Sequence, residues 1–339
     1  MCSGSDRVEP TWRVIAVLGP TASGKTTVAE ELALRLGGEI VSADSMQVYR
    51  GMDIGTAKPP PSERRVPHHC IDLADPGEPF SAALYQRAAR EAIADIAGRG
   101  RVPIVAGGTG MYVRAALDDW SFPRGEQTSP ARTELERLAD EVGAQVMHDR
   151  LRTIDPESAA LIHPNNTRRT IRALEMAAEG VSYAAQASGF SRRRSVYDTV
   201  FVGLHVDREV LYRRIEDRVD AMIAAGLLGE VEALLAAGYR SGLTATQAIG
   251  YKELVPVLEE DAPLPEAVAA IKQATRRYAK RQLTWLRADP RIRWVDVTGT
   301  SAEDGTRAIL DLLESDTPAA RLGDLDDPGG SAAERKGAT

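Results

Sequence analysis

The segment GPTASGKT, which begins at Gly19, has the residue types and the spacing of a loop that binds phosphate groups. It matches G-x-x-x-x-G-K-[ST] and lies between an apolar, strand-like run and a stretch with helical periodicity. The glycines let backbone N–H groups turn towards an anion, the lysine adds positive charge, and the last threonine offers a hydroxyl to Mg²⁺. Such a loop recognises a diphosphate and does not by itself select a nucleoside. The predicted diphosphate-binding residues are Gly19, Pro20, Thr21, Ala22, Ser23, Gly24, Lys25 and Thr26.

A carboxylate stands at the end of the second strand-like run, EIVSA, which leads into Asp44. Because the carboxyl ends of parallel strands meet at one edge of a sheet, Asp44 is expected to face the phosphate loop as a general base or a magnesium ligand. An Asx turn that only leaves the strand is the alternative. The third run, RVPIVAG, is followed by glycines and Thr109, whereas P-loop NTPases normally carry an acidic residue there.

Two arginines follow at helical spacing in the C-terminal half of the chain. Asp207 is predicted to cap a helix with an apolar stripe, and Arg214 and Arg218 flank that stripe four positions apart. They could close over a phosphate from the side opposite the loop. A surface pairing with the acidic residues of the same helix explains them equally well.

The strand-like runs at the start of the chain alternate with helical patterns, which predicts an α/β fold: a P-loop NTPase-like parallel sheet flanked by helices. From Trp120 to about Ser195 the strand signal disappears and helical patterns remain, which predicts an inserted all-helical domain. A strand pattern and a long helix then return. The predicted units are a discontinuous core at 12–120 and 196–314, a helical insertion at 121–195 and a tail at 315–339.

The formal net charge of −7 is unevenly distributed along the chain. After residue 300 there are 4 Lys and Arg against 9 Asp and Glu, in a context rich in Gly, Pro and Ala, so the tail is expected to be acidic and disordered. The rest is nearly neutral and carries basic clusters such as RRTIR at 168 and RRYAKR at 276. These clusters leave room for an anionic partner, although solvated surface explains them as well.

The cysteine content and the hydropathy pattern limit where the protein acts. Cys2 and Cys70 are the only cysteines in the chain, which excludes a disulfide framework and a four-cysteine zinc site. Adjacent strand positions point to opposite faces, so His68 and His69 are not expected to form a metal site with Cys70. The N-terminal segment is polar, and no run approaches the roughly 18 apolar residues of a membrane span. We therefore expect a cytoplasmic monomer with no membrane partner.

Several motifs together resemble the bacterial type of tRNA dimethylallyltransferase, also called tRNA isopentenyltransferase. The phosphate loop alone is shared by many enzymes, but the long motif that begins at Asp44, taken with HPNN and RALE, is specific to this family. The matching segments span about residues 14 to 290. They are GPTASGKT at 19, DSMQVYRGMDIGTAKP at 44, PHHCID at 67, GGTGMY at 107, IHPNNTRRTIRALE at 162, RIEDRVDAMIAAGLLGEV at 214, AIGYKE at 248 and KRQLTWLR at 280.

The resemblance implies transfer of a dimethylallyl group from dimethylallyl diphosphate to N6 of adenosine-37, which follows the anticodon of a tRNA. It implies that Lys25 and Thr26 hold the diphosphate with Mg²⁺ and that Asp44 accepts the amine proton. An arginine of the RIEDR helix, Arg214 or Arg218, would add a further diphosphate contact.

The resemblance also implies a tRNA-binding surface. The base must leave the anticodon stack before its amine can align with a prenyl carbon. Many family members carry a glutamine where this chain has Arg168, so that contact departs from the pattern. The implied tRNA contacts, besides Asp44, are Ser45, Met46, Gln47, Thr109, Arg132, Arg168, Arg169 and Arg172.

Three other functions fit part of the sequence. A P-loop kinase of a nucleotide or small metabolite would use Asp44 as base and would turn over ATP. An isopentenyltransferase for free adenine nucleotides would need no tRNA-sized surface. An RNA-binding protein without catalytic activity would use the loop only as a structural anion site.

Overall fold

Six strands form one parallel sheet, in the order β3-β2-β4-β1-β5-β6. The computed structural model describes residues 13–122, 129–242 and 244–315, so the predicted tail lies outside the described residues except for Ser315. The central strand β1 has β4 on one side and β5 on the other, and the prediction of a parallel sheet flanked by helices is confirmed. The strands are β1 Arg13–Leu18, β2 Gly38–Ala43, β3 His68–His69, β4 Val102–Gly107, β5 Asp198–His205 and β6 Ile292–Asp296.

Twelve α-helices connect the strands within the described residues. None of the helices in this part of the chain combines the length and the apolar character that a bilayer crossing needs. The helices are α1 Lys25–Leu36, α2 Ala82–Gly98, α3 Gly110–Leu117, α4 Pro130–Ile154, α5 Pro156–Leu161, α6 Thr167–Ala178, α7 Tyr183–Ser191, α8 Arg208–Ala224, α9 Leu227–Ala236, α10 Val255–Glu259, α11 Leu264–Arg287 and α12 Ala302–Ser315.

Local sequence signals explain several helix ends. The Ser81 hydroxyl accepts a hydrogen bond at the start of α2, the Asn166 side chain does the same for α6, and α1 ends at Gly37 in the left-handed conformation. The prediction that Asp207 caps α8 is confirmed for its position and wrong for its side chain. Asp207 occupies the N-cap of α8 without a side-chain capping bond, and its backbone N–H donates to the Thr298 hydroxyl at 2.9 Å.

Alternate side chains of β1 point to opposite faces of the sheet, and each face has its own core. Val14, Ala16 and Leu18 pack with α2, α3, α9 and α11. Ile15 and Val17 pack with α1, α8 and α12 on the other face. Both faces of the sheet are therefore covered, and its carboxyl edge is left as the place where a ligand can approach the loops.

The chain between α3 and β5 contains four helices, α4 to α7, with a separate hydrophobic cluster that includes Met147, Leu151 and Ile171. Helix α4 consists of two helical stretches joined at a kink at Gly143, whose φ of 81° is a left-handed value that favours glycine.

The two ends of this helical segment meet at the sheet domain. Asp118 forms an antiparallel bridge with Ser195. The Asp118 carboxylate is fully buried and accepts hydrogen bonds of 2.6 Å from both Arg114 and Arg291. We call this bridge with its two arginines the stem. Two backbone connections and two ion pairs to the buried Asp118 hold the helical segment at the stem, so the segment is fixed at both of its ends.

A buried carboxylate near the amino end of β2, that of Glu39, predicts that the stability of the fold decreases in acid. Glu39 is 3% exposed and accepts hydrogen bonds from Arg99 and His69, and chiefly the Arg99 bond lowers its pKa to about 2. Since the folded-state pKa is depressed, the stabilisation is complete above the ordinary value of 4.5 and is lost as the pH falls towards 2. Its size is on the order of 2 kcal/mol.

The test is the pH dependence of unfolding for Glu39→Gln, with the exposed Glu91→Gln as the matched control. Glu39→Gln is expected to lower the free energy of unfolding at pH 7, and its difference from the wild type should shrink below about pH 4. A difference that stays constant between pH 7 and pH 3 would contradict this assignment.

Candidate active site

The phosphate loop joins β1 to α1 at the carboxyl edge of the sheet. Ala22 and Gly24 have φ values of 63° and 84°, so the chain turns through two left-handed positions before α1 begins at Lys25. The Gly19 N–H donates to the carbonyl of Gly107 at the end of β4, at 3.3 Å. Positive φ values at alternate positions aim successive N–H groups to one side, which is the geometry of an anion-binding concavity.

Gln282 on α11 fixes the loop from the other side, and sequence reasoning missed it. Its Oε1 accepts from the Thr21 N–H at 2.8 Å, its Nε2 donates to the Gly108 carbonyl at 3.0 Å, and it is 6% exposed. A Cβ on Gly108 would lie 2.4 Å from this Nε2, so the glycine-rich motif after β4 makes room for the amide. The available signal was a glutamine at helical spacing between the apolar Ala279 and Leu286.

Asp44 follows β2 and faces the same edge. Its Oδ1 accepts from the Met46 N–H at 2.9 Å, so the Asx turn considered as an alternative is present. A cavity beside the phosphate loop, which we call the main cavity, is lined by Asp44 together with Ser45, Met46 and further residues. The Ser45 N–H donates to the Thr109 hydroxyl at 3.1 Å, which joins the chain after β2 to the chain after β4. The turn therefore holds the carboxylate at the cavity and does not compete with a chemical role.

The charge of Lys25 is easily changed at this site. Burial lowers its pKa to about 8, the nearby Asp44 carboxylate opposes that shift, and the Arg218 guanidinium adds to it. The Lys25 ammonium donates to the Pro20 carbonyl at 3.3 Å. An anion bound beside it would favour the charged form of Lys25.

The two candidate arginines of α8 differ in position. Arg218 lines the main cavity, burial lowers its pKa, and Asp44 opposes that shift. A second cavity of about 460 Å³ also has Arg218 in its wall. Arg214 lines neither cavity. The structure therefore brings Arg218, and not Arg214, to the phosphate loop and Asp44.

The main cavity has a volume of about 380 Å³ and a mixed lining. Thr21, Asp44 and Arg218 supply polar groups, and the hydroxyl of Tyr278 adds another. Burial raises the pKa of Tyr278 to about 12, so this hydroxyl keeps its proton at neutral pH and can donate it to a hydrogen bond. The apolar part of the wall comes from α8, α11 and the segment 247–252, and includes Ile215, Val219, Met222, Ala248, Ile249 and Ile271.

The segment after Asp44, SMQVYRGMDIGTAKPP, shows no core periodicity in its sequence, yet several of its residues are buried. Val48, Tyr49 and Met52 are fully buried. The Gln47 side chain accepts from the Ser42 hydroxyl at 2.9 Å and donates to the Thr56 carbonyl at 3.3 Å. Gln47 therefore braces the segment, whereas its neighbours Ser45 and Met46 reach the cavity.

The basic residues of the helical segment fall into two groups. Arg132 and Arg172 both pair with the buried Glu175, at 3.4 and 3.5 Å. Arg168 and Arg169 lie in the first turn of α6 and are exposed. The Arg169 N–H donates to the capping Asn166 at 3.2 Å, so the HPNN motif orients the start of this helix. Among the four arginines predicted to contact tRNA, Arg168 and Arg169 are the two exposed ones.

The His68, His69 and Cys70 cluster is divided between different partners. His68 Nε2 lies 2.9 Å from a Glu30 carboxylate oxygen, and His69 Nε2 lies 2.7 Å from Glu39. Cys70 is buried, and burial raises its pKa to about 12. Both imidazoles therefore brace the β3 edge of the sheet.

Comparison with known proteins identifies the family. The family model described as IPP transferase matches residues 47–289, and one described as isopentenyl transferase matches residues 12–67. The chain belongs to the IPP transferase family. The region matched by the IPP transferase model contains Thr109, Arg218 and most of the other residues that line the cavity described above.

Relatives and solved structures agree with this assignment. A tRNA dimethylallyltransferase of Geobacillus thermodenitrificans is 49% identical over 290 residues, which cover 85% of this chain and 91% of the relative. The tRNA isopentenylpyrophosphate transferase of Bacillus halodurans has a TM-score of 0.68 and 41% identity, and covers 92% of this chain and 99% of its own. A eukaryotic dimethylallyltransferase acting on tRNA has a TM-score of 0.72 and 29% identity, over 92% of this chain and 78% of its own.

Proposed function

We propose that this member of the IPP transferase family transfers the dimethylallyl group of dimethylallyl diphosphate to N6 of adenosine-37 in tRNA, beside the anticodon. One observation carries the proposal. Asp44, Arg218 and the phosphate-loop residue Thr21 line a single cavity, whose remaining wall combines an apolar patch with further cations; the patch includes Ile215, Val219, Met222 and Ile271, and the cations are Lys252, Arg277 and Arg281. Such a cavity suits a ligand with a diphosphate at one end and a short hydrocarbon chain at the other.

The reaction is a substitution at the first carbon of the prenyl chain. The N6 amine attacks that carbon, its bond to the diphosphate oxygen breaks, and the diphosphate leaves with the electron pair. Asp44 accepts the proton released from N6. Lys25, Arg218 and the N–H groups of the loop stabilise the negative charge that develops on the departing diphosphate. Since no phosphoryl group moves, no acidic residue is required after β4.

The phosphate loop also fits a magnesium ion that arrives with the substrate. No cluster of three or more acidic, histidine or cysteine ligands exists among the described residues, so these residues alone offer no complete cage. Magnesium commonly binds through one or two protein oxygens together with substrate phosphates. Thr26 in the first turn of α1 would supply such an oxygen, and the bound ion would neutralise charge on the diphosphate.

Binding of the tRNA anticodon stem-loop is proposed for the helical insertion at 121–195, with the adenine turned out of the stack into the cavity. The exposed Arg168 and Arg169 support this assignment because their cations are not used in ion pairs with described residues. We also propose that the protein acts as a monomer in the cytoplasm, and light scattering after size exclusion would test the oligomeric state.

Replacing Arg169 by alanine is expected to weaken tRNA binding and to reduce the slope of log K against log salt by about 1, because one phosphate contact is lost. Arg137→Ala is the matched control, since that guanidinium lies in the same segment but pairs with Glu134 and Glu141. Filter binding over a range of salt concentrations measures both variants. Equal slopes for Arg169→Ala and Arg137→Ala would contradict this role.

The decisive assay combines the purified protein with unmodified tRNA, Mg²⁺ and labelled dimethylallyl diphosphate, with and without ATP. Label is expected in tRNA without ATP. ATP hydrolysis in the absence of label transfer would instead favour a kinase. Transfer to free adenosine monophosphate but not to tRNA would favour the free-nucleotide enzyme, and tRNA binding without transfer would favour the RNA-binding protein.

A further inference from the structure

One carboxylate on α9 collects four hydrogen bonds from groups beside the cavity. Glu230 Oε2 accepts from the N–H groups of Asp53 at 3.1 Å and Ile54 at 2.8 Å. Its Oε1 accepts from the Gly55 N–H at 3.2 Å and from the Tyr251 hydroxyl at 2.6 Å. These donors come from two segments that lie almost 200 positions apart, so Glu230 is their common attachment point.

The two segments that Glu230 joins form part of the cavity wall. Gly55 and Tyr251 both line the main cavity, and Tyr251 is fully buried. A Cβ on Gly55 would lie 2.4 Å from the Tyr251 ring, so the backbone of one segment rests directly on the aromatic ring of the other. The Oε1 atom binds both members of this contact, which fixes the ring against the glycine.

The placement of Glu230 is rigid. Leu227 and Val231 on the same helix are fully buried, and they anchor α9 in the core that covers one face of the sheet. Three consecutive N–H groups aimed at one carboxylate form an anion-binding turn. Loss of the carboxylate therefore leaves these N–H groups and the Tyr251 hydroxyl without the acceptor that joins them.

We propose that Glu230 is a positioning residue for the transfer reaction: it holds the Gly55 and Tyr251 wall against the prenyl donor without touching the reacting atoms. This inference rests on the proposed function. Gly55 and Tyr251 line the cavity, whereas the tRNA phosphates that dominate affinity would meet the arginines of the helical insertion, so Glu230 acts on the KM for dimethylallyl diphosphate more than on the dissociation constant for tRNA.

The test compares Glu230→Gln with Glu232→Gln, an exposed glutamate on the same helix. Glutamine keeps the shape of the side chain, but its amide N–H group points towards the hydrogen-bond donors that the carboxylate accepted. The KM for dimethylallyl diphosphate is therefore expected to rise about tenfold, as for the loss of a hydrogen bond to a charged group. The dissociation constant for tRNA should change less than twofold. Glu232→Gln should match the wild type in both.

Tyr251→Phe keeps the inference testable if Glu230→Gln does not fold, which circular dichroism would show. This substitution removes one of the four hydrogen-bond donors to Glu230, and the KM for dimethylallyl diphosphate is expected to rise about threefold above that of the wild type. In a folded Glu230→Gln variant, lower thermal stability with an unchanged donor KM would assign a structural role only and overturn the inference. An unchanged KM for dimethylallyl diphosphate in Tyr251→Phe would also overturn the inference. A rise in the tRNA dissociation constant as large as the rise in this KM would overturn it as well. Failure of the wild type to transfer label would refute the proposed function itself.

Discussion

Asp44→Asn is expected to lower kcat for prenyl transfer by roughly 10²- to 10⁴-fold, the range for removal of a general base. Asparagine retains an oxygen that can accept the Met46 N–H bond of 2.9 Å, so the turn that holds this position should persist. The loss would then come from proton transfer and not from a changed loop. Single-turnover measurement with saturating dimethylallyl diphosphate and tRNA gives the rate of the chemical step directly.

The control for this substitution is Asp217→Asn, which removes a carboxylate from an exposed position of α8. It should leave the rate within twofold of the wild type. The dissociation constant of Asp44→Asn for tRNA should also remain close to that of the wild type. Full activity of Asp44→Asn would show that another group or solvent takes the proton, and the assignment of Asp44 would then be abandoned.

Arg218→Gln is expected to raise the KM for dimethylallyl diphosphate by roughly 10- to 100-fold, since a hydrogen bond from a charged group to phosphate contributes about 1.5 to 3 kcal/mol. The matched variant is Arg214→Gln, one turn earlier on the same helix. It changes the same charge but lies outside both cavity walls, so its KM should stay within twofold of the wild type.

The same pair of variants has an electrostatic signature. Arg218 contributes to the lowered pKa of Lys25, so its removal should raise that pKa above about 8 in the free enzyme, whereas Arg214→Gln should not. The pH profile of kcat/KM for the donor reports this pKa. If Arg214→Gln proves the more damaging variant, the positions of the two arginines in the structure do not describe the working site.

The sequence was sufficient for features that depend on neighbouring residues. The strand, loop and helix around Gly19 to Thr26, the parallel sheet and the capped helix after Asn166 all follow from local patterns that the structure reproduces. The position of Asp44 at the ligand edge also followed, because parallel strands place their carboxyl ends together.

The supporting groups could not be found in that way. Gln282 reaches Thr21 across 261 positions, and Glu230 reaches Asp53 across 177. Such pairings depend on how α11 and α9 pack against the sheet, which no local periodicity specifies. Lys58 shows the same limit: its segment has the Gly, Thr and Lys content of a substrate loop, but Lys58 is buried and bonds Tyr49, Asp53 and Asp72. The amino-acid composition of the segment after Asp44 does not distinguish a loop that contacts substrate from a segment whose buried lysine bonds its own backbone and carboxylates.

The stem at Asp118 and Ser195 affects the entropy of chain closure. Because the bridge brings the two ends of the helical segment side by side, the sheet domain holds together the ends of a long loop whether or not that loop is folded. The entropic cost of closing a loop rises only with the logarithm of its length, so exchanging the segment for a few residues changes that cost by a small amount. The stem is therefore the natural junction for a chimaera in which another family member's helices are joined to this sheet.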